Sequence, residues 1–159
     1  MTQSTREQPW SEGGPSGRIV LLTRNPISEA ITAIAGAVGR ATVLVEHDED
    51  GRGVEEVESL SLRPGDAVVL CDHDAPDAPR VMRLAMASDA SYVAMMASRG
   101  RAAGLHADLR DEGAPGLDKL HVPAGLDTGG KSAGEIALSV VAEVVAESHG
   151  RRGAPLREG

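Results

Sequence analysis

Short apolar runs alternate with helical stretches along most of the chain, and this alternation constrains the fold more than any other feature. The runs have strand length and are rich in Val, Leu and Ile, at residues 18–23, 41–46, 66–72, 91–96 and 120–122. A helix between two such runs is the usual crossover between parallel strands. The sequence therefore predicts an α/β fold, a doubly wound parallel sheet in a single three-layer domain.

The connecting segments carry helix signals. Asn25 and Pro26 form an N-cap followed by proline at the first helical position, and Gly39 can end that helix. Further helices are predicted at residues 54–60, 79–87 and 99–112, and a long one follows Ser132. In this last helix one face is apolar, and the opposite face is predicted to meet solvent with Ser139, Glu143 and Glu147.

Composition narrows the class of protein. The chain has no Phe, one Tyr and one Trp, so its core must pack small aliphatic side chains between helices and sheet. A net charge of −8 argues against nucleic acid as a partner. The single cysteine, Cys71, excludes an internal disulfide framework. The sequence has no membrane-length apolar run and no signal-peptide pattern, so we expect a cytoplasmic protein without membrane contact.

Polar, Gly- and Pro-rich ends predict the domain limits. Residues 1–17 are expected to be a disordered leader, residues 18–149 the folded domain and residues 150–159 a flexible tail.

Ligands of such sheets bind beyond the carboxyl ends of the strands. The first loop there contains Arg24 and Asn25 but lacks the glycines of a dinucleotide-binding turn. Either phosphate is held through Arg24 and the helix amides, or cofactor binding is lost. We therefore expect NAD(P) to bind weakly. Glu46, after the second run, stands where an acidic residue would receive a ribose hydroxyl.

The second loop follows the third strand and contains Asp72, His73, Asp74 and Asp77. These side chains suit a metal ion, yet no second His/Cys cluster supports a metal site, and a solvated helix-capping loop is the alternative. Cys71, just before them, is either a sulfur carrier or an inert core residue.

Two further loops suit an anion. Ser98 and Arg99 offer a hydroxyl, a guanidinium and a helix N-terminus. The last loop is glycine-rich and opens the long helix, whose Ser132 and Glu135 have capping-box spacing. Its candidate ligand-binding residues are Gly125, Asp127, Gly129 and Gly130, with Lys131 beside them. We expect a phosphate to lie between these two loops.

The residues of these loops resemble a known family. Residues 123–143, PAGLDTGGKSAGEIALSVVAE, resemble the closing signature of the XdhC/CoxI family, P-x-G-L-D-I-G-x-x-T-P-x-E-I-A-x-S-I-x-A-E. Residues 92–101 resemble its Y-V-G-x-x-G-S-R-R, with Ala94 and Ala97 where glycines are usual. The Asp72–His73–Asp74 segment resembles its T-H-D-like motif. The resemblance extends over about residues 18–148.

The resemblance implies the C-terminal, Rossmann-like domain of a maturation factor for molybdenum hydroxylases of the xanthine or carbon monoxide dehydrogenase kind. Such proteins bind the molybdenum cofactor (molybdopterin), assist its sulfuration and deliver it to the apo-enzyme. Full-length members also have an N-terminal domain with a cysteine motif. We expect this chain to lack that domain, which makes a separate protein with the XdhC N-terminal domain a candidate partner.

Two functions remain open from the sequence. The first is a non-catalytic accessory protein that binds the molybdenum cofactor or a related nucleotide and a molybdenum hydroxylase apo-enzyme. The second is an NAD(P)-dependent oxidoreductase, although the glycine turn and a tyrosine–lysine pair are missing. Alanine-rich helices and the Met95–Met96 strand end also lead us to expect a homodimer or a complex with another chain.

Overall fold

The computed structural model describes residues 17–47 and 49–158 and shows a five-stranded, all-parallel sheet of order β2-β1-β3-β4-β5. The strands are β1 (Ile19–Leu22), β2 (Thr42–Val45), β3 (Ala67–Leu70), β4 (Tyr92–Met95) and β5 (Leu120–His121). The predicted fold class is confirmed. Of the predicted leader, only Gly17 lies within the described residues.

Helices cover both faces of the sheet. Their bounds are α1 (Pro26–Ala37), α2 (Arg52–Ser59), α3 (Ala78–Ala87), α4 (Arg99–Asp111) and α5 (Ala133–Ser148). Helices α1 and α5 pack on one face, and α2, α3 and α4 pack on the other. Short 3-10 turns occur at Leu117–Lys119 and Leu156–Glu158. No described helix combines the length and the apolar character needed to cross a membrane.

Alternation along the strands builds a core on each side. Leu22 and Leu70 point to one layer, while Leu21 and Val69 point to the other. Tyr92, the only tyrosine, is 2% exposed and lies in the layer of α1 and α5. Aliphatic side chains fill the rest, as the sequence predicts.

The predicted helix caps are present. Asn25 Oδ1 accepts from the amide of Ser28 at 2.9 Å, and Ser28 Oγ accepts from the amide of Asn25 at 2.8 Å. In α5, Ser132 Oγ accepts from the amide of Glu135 at 3.1 Å. The Glu135 carboxylate accepts from the Ser132 hydroxyl at 3.2 Å, whereas a capping box would direct it to the cap's own amide.

The prediction for the polar face of α5 is wrong for two of its three residues. Ser139 is 6% exposed, and the Glu143 side chain is only 16% exposed. The reason is that the loop entering α5 folds back over this face. Glu147 is exposed, as predicted.

The chain after α5 crosses the same loop. A Cβ atom on Gly153 would come 2.8 Å from Leu126 Cδ1, so the backbone passes close over that side chain. Residues 150–158 are exposed. The flexibility of this tail stays a prediction.

Candidate functional site

The strand order reverses between β1 and β3, which is where a sheet of this kind opens a ligand crevice. Here a side chain bridges the two loops. Asn25 Nδ2 donates to the carbonyl of Cys71 at 3.0 Å, while Asn25 Oδ1 caps α1. Asn25 therefore joins the loops after β1 and β3 and leaves little of its amide for a ligand.

The turn after β1 contains a non-glycine residue in a backbone conformation that favours glycine. Thr23 has φ of +82°, a left-handed conformation that β-branched residues rarely adopt. Beside it, Arg24 forms an ion pair with Glu46 at 2.5 Å, and both side chains are more than half exposed. Arg24 and Glu46 thus neutralise each other at the position where a dinucleotide would need them.

Asp77 in the loop after β3 has a structural role. Its buried carboxylate accepts from the amides of Gly51 at 3.0 Å and Gly53 at 2.8 Å, and it pairs with Arg80 at 2.7 Å. Burial alone would raise the pKa of Asp77, but these donors outweigh it and hold the pKa below its ordinary value. Asp77 anchors the start of α2.

The other polar groups of this loop bind each other or the end of β4. Asp72 Oδ1 accepts from the amide of Asp74 at 2.9 Å. His73 Nδ1 donates to the carbonyl of Met96 at 3.0 Å, and its Nε2 lies 3.4 Å from Asp74 Oδ2. Among the described residues no group of three or more His, Cys, Asp or Glu side chains could hold a metal ion.

Cys71 is buried, and burial, together with the charge of Asp72, raises the pKa of its thiol to about 12. The thiol is therefore neutral near pH 7, whereas the thiolate is the nucleophile in sulfur transfer. This environment supports the inert core alternative.

The loops after β4 and β5 enclose a groove of about 750 Å³, which we call the β4/β5 groove. Its walls are Ala97, Ser98, Arg99, residues 123–131, Ile136 and Ser139. Six of the predicted site residues meet here: Ser98, Arg99, Gly125, Asp127, Gly129 and Gly130. Arg24, Asn25, Asp72, His73 and Asp74 are not among the described residues that line it.

The wall formed by α4 offers donors to an anion. Ser98 caps the helix by accepting from the amide of Arg101 at 3.1 Å. The amides of Arg99 and Gly100, in the first two helical positions, have no intrahelical acceptor. Arg99 is 87% exposed, and its guanidinium lies 3.8 Å from the Asp127 carboxylate across the groove. An exposed pair at this distance is weak, so an anion can compete with Asp127 for Arg99.

The glycines of the opposite wall have different roles. Gly125, with φ of +100°, lies against α5, and a Cβ there would be 2.4 Å from Ser139 Oγ. Its amide donates to Glu143 Oε1 at 3.1 Å and so points away from the groove. Gly129, with φ of +78°, borders open space. Gly129 is therefore the glycine that leaves room for a ligand, while Gly125 is needed for packing.

Sequence reasoning missed three side chains beneath this wall. Tyr92 Oη donates to Glu143 Oε1 at 2.5 Å, and the His121 ring stacks on Tyr92 with ring centroids 4.5 Å apart. His121 Nδ1 lies 3.8 Å from Glu143 Oε1. The sequence contained one signal for the role of Glu143. Ser139 and Glu143 are four residues apart and so lie on the same face of α5, which a residue as small as Gly125 can approach closely.

An all-parallel sheet layered between helices, with a glycine-lined groove at the carboxyl ends of its strands, defines a Rossmann-like α/β domain. The family model of the XdhC Rossmann domain matches residues 19–144. The chain belongs to this family, which confirms the resemblance seen in its sequence.

Solved structures agree on the fold. A crystal structure of a xanthine dehydrogenase from Bacillus halodurans matches with a TM-score of 0.70 and 19% sequence identity. The match covers 87% of this chain and 44% of that chain, so the chain spans less than half the length of that protein. No curated protein matches the sequence.

Proposed function

We propose that this protein is an accessory factor for maturation of a molybdenum hydroxylase of the xanthine or carbon monoxide dehydrogenase kind. It binds the molybdenum cofactor, or a related nucleotide, in the β4/β5 groove and assists its insertion into the apo-enzyme in the cytoplasm. Membership of the XdhC family supports the class. The proposal rests on one observation: the Ser98–Arg99 start of α4 and the Gly129–Gly130 turn line the same groove.

The groove fits the phosphate end of such a cofactor. Arg99 is exposed and only weakly paired with Asp127, so its guanidinium can turn toward an anion, and the amides of Arg99 and Gly100 lack helical acceptors. Gly129 leaves its side of the groove open. Once bound, the cofactor supplies the molybdenum centre that the hydroxylase requires. This chain's residues hold the phosphate and keep the cofactor at the carboxyl edge of the sheet.

Replacing Arg99 tests the site. Arg99→Ala removes a charge-assisted contact and should weaken molybdopterin binding by roughly ten- to a hundredfold. Asp127→Asn removes the carboxylate that competes for Arg99 and should tighten binding. Calorimetric titration of each variant, with melting temperatures, measures both effects.

The matched control for these variants is Arg110→Ala, because Arg110 is exposed in the last turn of the same helix. It should bind as the wild type does. Wild-type affinity in Arg99→Ala, or unfolding of that variant, would mean that Arg99 is not a ligand residue.

The alternative, an NAD(P)-dependent oxidoreductase, has less support. Asn25 is hydrogen-bonded to the carbonyl of Cys71 across the point where the strand order reverses. The Glu46 carboxylate, which would accept from a ribose hydroxyl, is paired with Arg24. The dinucleotide site would have to break both contacts. We therefore keep the expectation that NAD(P) binds weakly.

Association with a second copy or a partner chain belongs to the same proposal. Met95 is 6% exposed and Met96 is partly buried against the core of the α1/α5 layer, so this strand end does not provide the apolar surface expected from the sequence. Among the described residues, the exposed large apolar side chains are Val38 (51%) at the end of α1, Leu138 (54%) in α5 and Leu156 (99%) in the C-terminal segment, so the α1/α5 layer presents two of the three. Light scattering should show a dimer. If the α1/α5 layer is the interface, Leu138→Glu should lower the fraction of dimer. A monomer at high concentration that captures no hydroxylase apo-enzyme would contradict the expectation.

A further inference from the structure

We propose that Glu143 is a positioning residue for the β4/β5 groove: with Tyr92, it fixes the Gly125 loop without lining the groove itself. The inference rests on the function proposed above for the groove. Among the described residues, neither Glu143 nor Tyr92 belongs to the groove wall. Both lie beneath it, between the sheet and α5.

The loop is attached on two sides. The amide of Ala124 donates to the carbonyl of Met95 at 3.1 Å, which ties the loop to the end of β4. The amide of Leu126 donates to the carbonyl of Ser139 at 3.2 Å, which ties it to α5. Between these two bonds, the amide of Gly125 donates to the Glu143 carboxylate. Of the three acceptors, only the carboxylate is a side chain that a substitution can remove.

Tyr92 fixes the position of that carboxylate. Its hydroxyl donates to the same Oε1 atom that accepts from Gly125. The phenol is buried and stacks on His121, so it holds Glu143 in one orientation. A hydrogen bond from a neutral hydroxyl to a carboxylate is among the stronger kinds in proteins. The chain Tyr92–Glu143–Gly125 therefore connects β4 to the groove wall through α5.

The wall that this chain supports includes the Gly129–Gly130 turn of the proposed anion site. Gly129 follows Gly125 in the same loop, and it lines the groove together with the Ser98–Arg99 start of α4. If the loop detaches from α5, the Gly129–Gly130 turn moves away from α4 and the two walls of the groove separate. Glu143 thus acts on ligand binding through loop position, since its carboxylate is directed inward.

Amide hydrogen exchange tests the inference without a ligand. In Glu143→Ala, exchange at Gly125 should accelerate by roughly tenfold or more, while Ala102, bonded within α4, keeps its wild-type rate. Glu143→Gln retains an oxygen acceptor in the same place and should restore most of the protection. Tyr92→Phe keeps the ring but removes the donor and should give an intermediate rate.

Molybdopterin titration of the same variants then measures the effect on the groove. We expect Glu143→Ala to bind about tenfold more weakly and Glu143→Gln to bind within about threefold of the wild type.

Unchanged Gly125 exchange in Glu143→Ala and Tyr92→Phe would overturn the inference, as would equal weakening in Glu143→Ala and Glu143→Gln. If Glu143→Ala fails to fold, Tyr92→Phe and Glu143→Gln decide the question. Gly125 exchange could accelerate in Glu143→Ala while the wild-type protein binds no molybdopterin. That result would support the role of Glu143 in positioning the loop and would overturn the proposed function.

Discussion

Thr23 shows at the scale of one residue how this chain departs from a dinucleotide-binding turn. Its φ of +82° is a conformation suited to glycine, and a β-branched side chain there is strained. Such strain costs on the order of 1–3 kcal/mol. This turn therefore holds one residue in a conformation suited to glycine without a glycine at that position.

Thr23→Gly should be more stable than Thr23→Ala. Both changes remove the hydroxyl and methyl groups of Thr23, but only alanine keeps a Cβ atom at this positive φ. Relief of strain outweighs the larger entropy that glycine has in the unfolded chain, so we expect a difference of about 1 kcal/mol, or about 3 °C in melting temperature. Equal stability of the two variants in thermal unfolding would contradict the strain at this position.

Side-chain identity alone predicted some residue roles and not others. The cap formed by Asn25 follows from its sequence position before Pro26, since both partners of the cap are local. The second bond of Asn25, to Cys71, depends on which strands are neighbours, and 46 positions separate the two residues. Glu143 could not be predicted from local sequence. A carboxylate on the polar face of a helix is expected to be exposed to solvent, and only the loop that contains Gly125 buries it.

Helix α2 depends on a single side chain from another element. It begins at Arg52 and makes no side-chain N-cap bond of its own, and Asp77 from the start of α3 accepts from the amides of Gly51 and Gly53. The sequence predicted α2 only as a weak helix at residues 54–60. Its stability comes from this tertiary contact more than from local signals.

Asp77→Asn should destabilise the protein by about 2–4 kcal/mol, because one of the two carboxylate oxygens that accept from the amides of Gly51 and Gly53 is replaced by an NH2 donor. The pKa of Asp77 is lowered in the folded state, so its contribution is present above the ordinary carboxyl pKa of about 4 and is lost as pH falls through the folded value. Urea unfolding at several pH values measures this. The variant should lose less stability than the wild type on acidification, and Asp89→Asn, at an exposed position, should match the wild type. Similar acid sensitivity in Asp77→Asn and wild type would contradict this account.

At the scale of the whole molecule, the order of elements was predictable and the location of the groove only partly. Five apolar runs separated by helical segments sufficed for the sheet, because parallel strands need crossovers of this length. The sequence placed four loops at one edge and favoured the last two of them for a phosphate. The side chains of these loops distinguish the two ends of the edge. Near β1, Asn25 is bonded to Cys71 and Arg24 is paired with Glu46. Between β4 and β5, Gly129 and the exposed Arg99 line an open groove.

We infer that this domain binds its ligand between the loops after β4 and β5 and not at the turn after β1. Nuclear magnetic resonance titration of the ¹⁵N-labelled protein with molybdopterin, and separately with NADPH, tests it most directly. We predict that molybdopterin shifts the amide signals of residues 98–100 and 125–131, leaves residues 23–28 unchanged, and that NADPH causes only weak, unsaturated shifts. Saturable shifts centred on residues 23–28 and Glu46 with NADPH, without change at Arg99 and Gly129 with molybdopterin, would contradict the account.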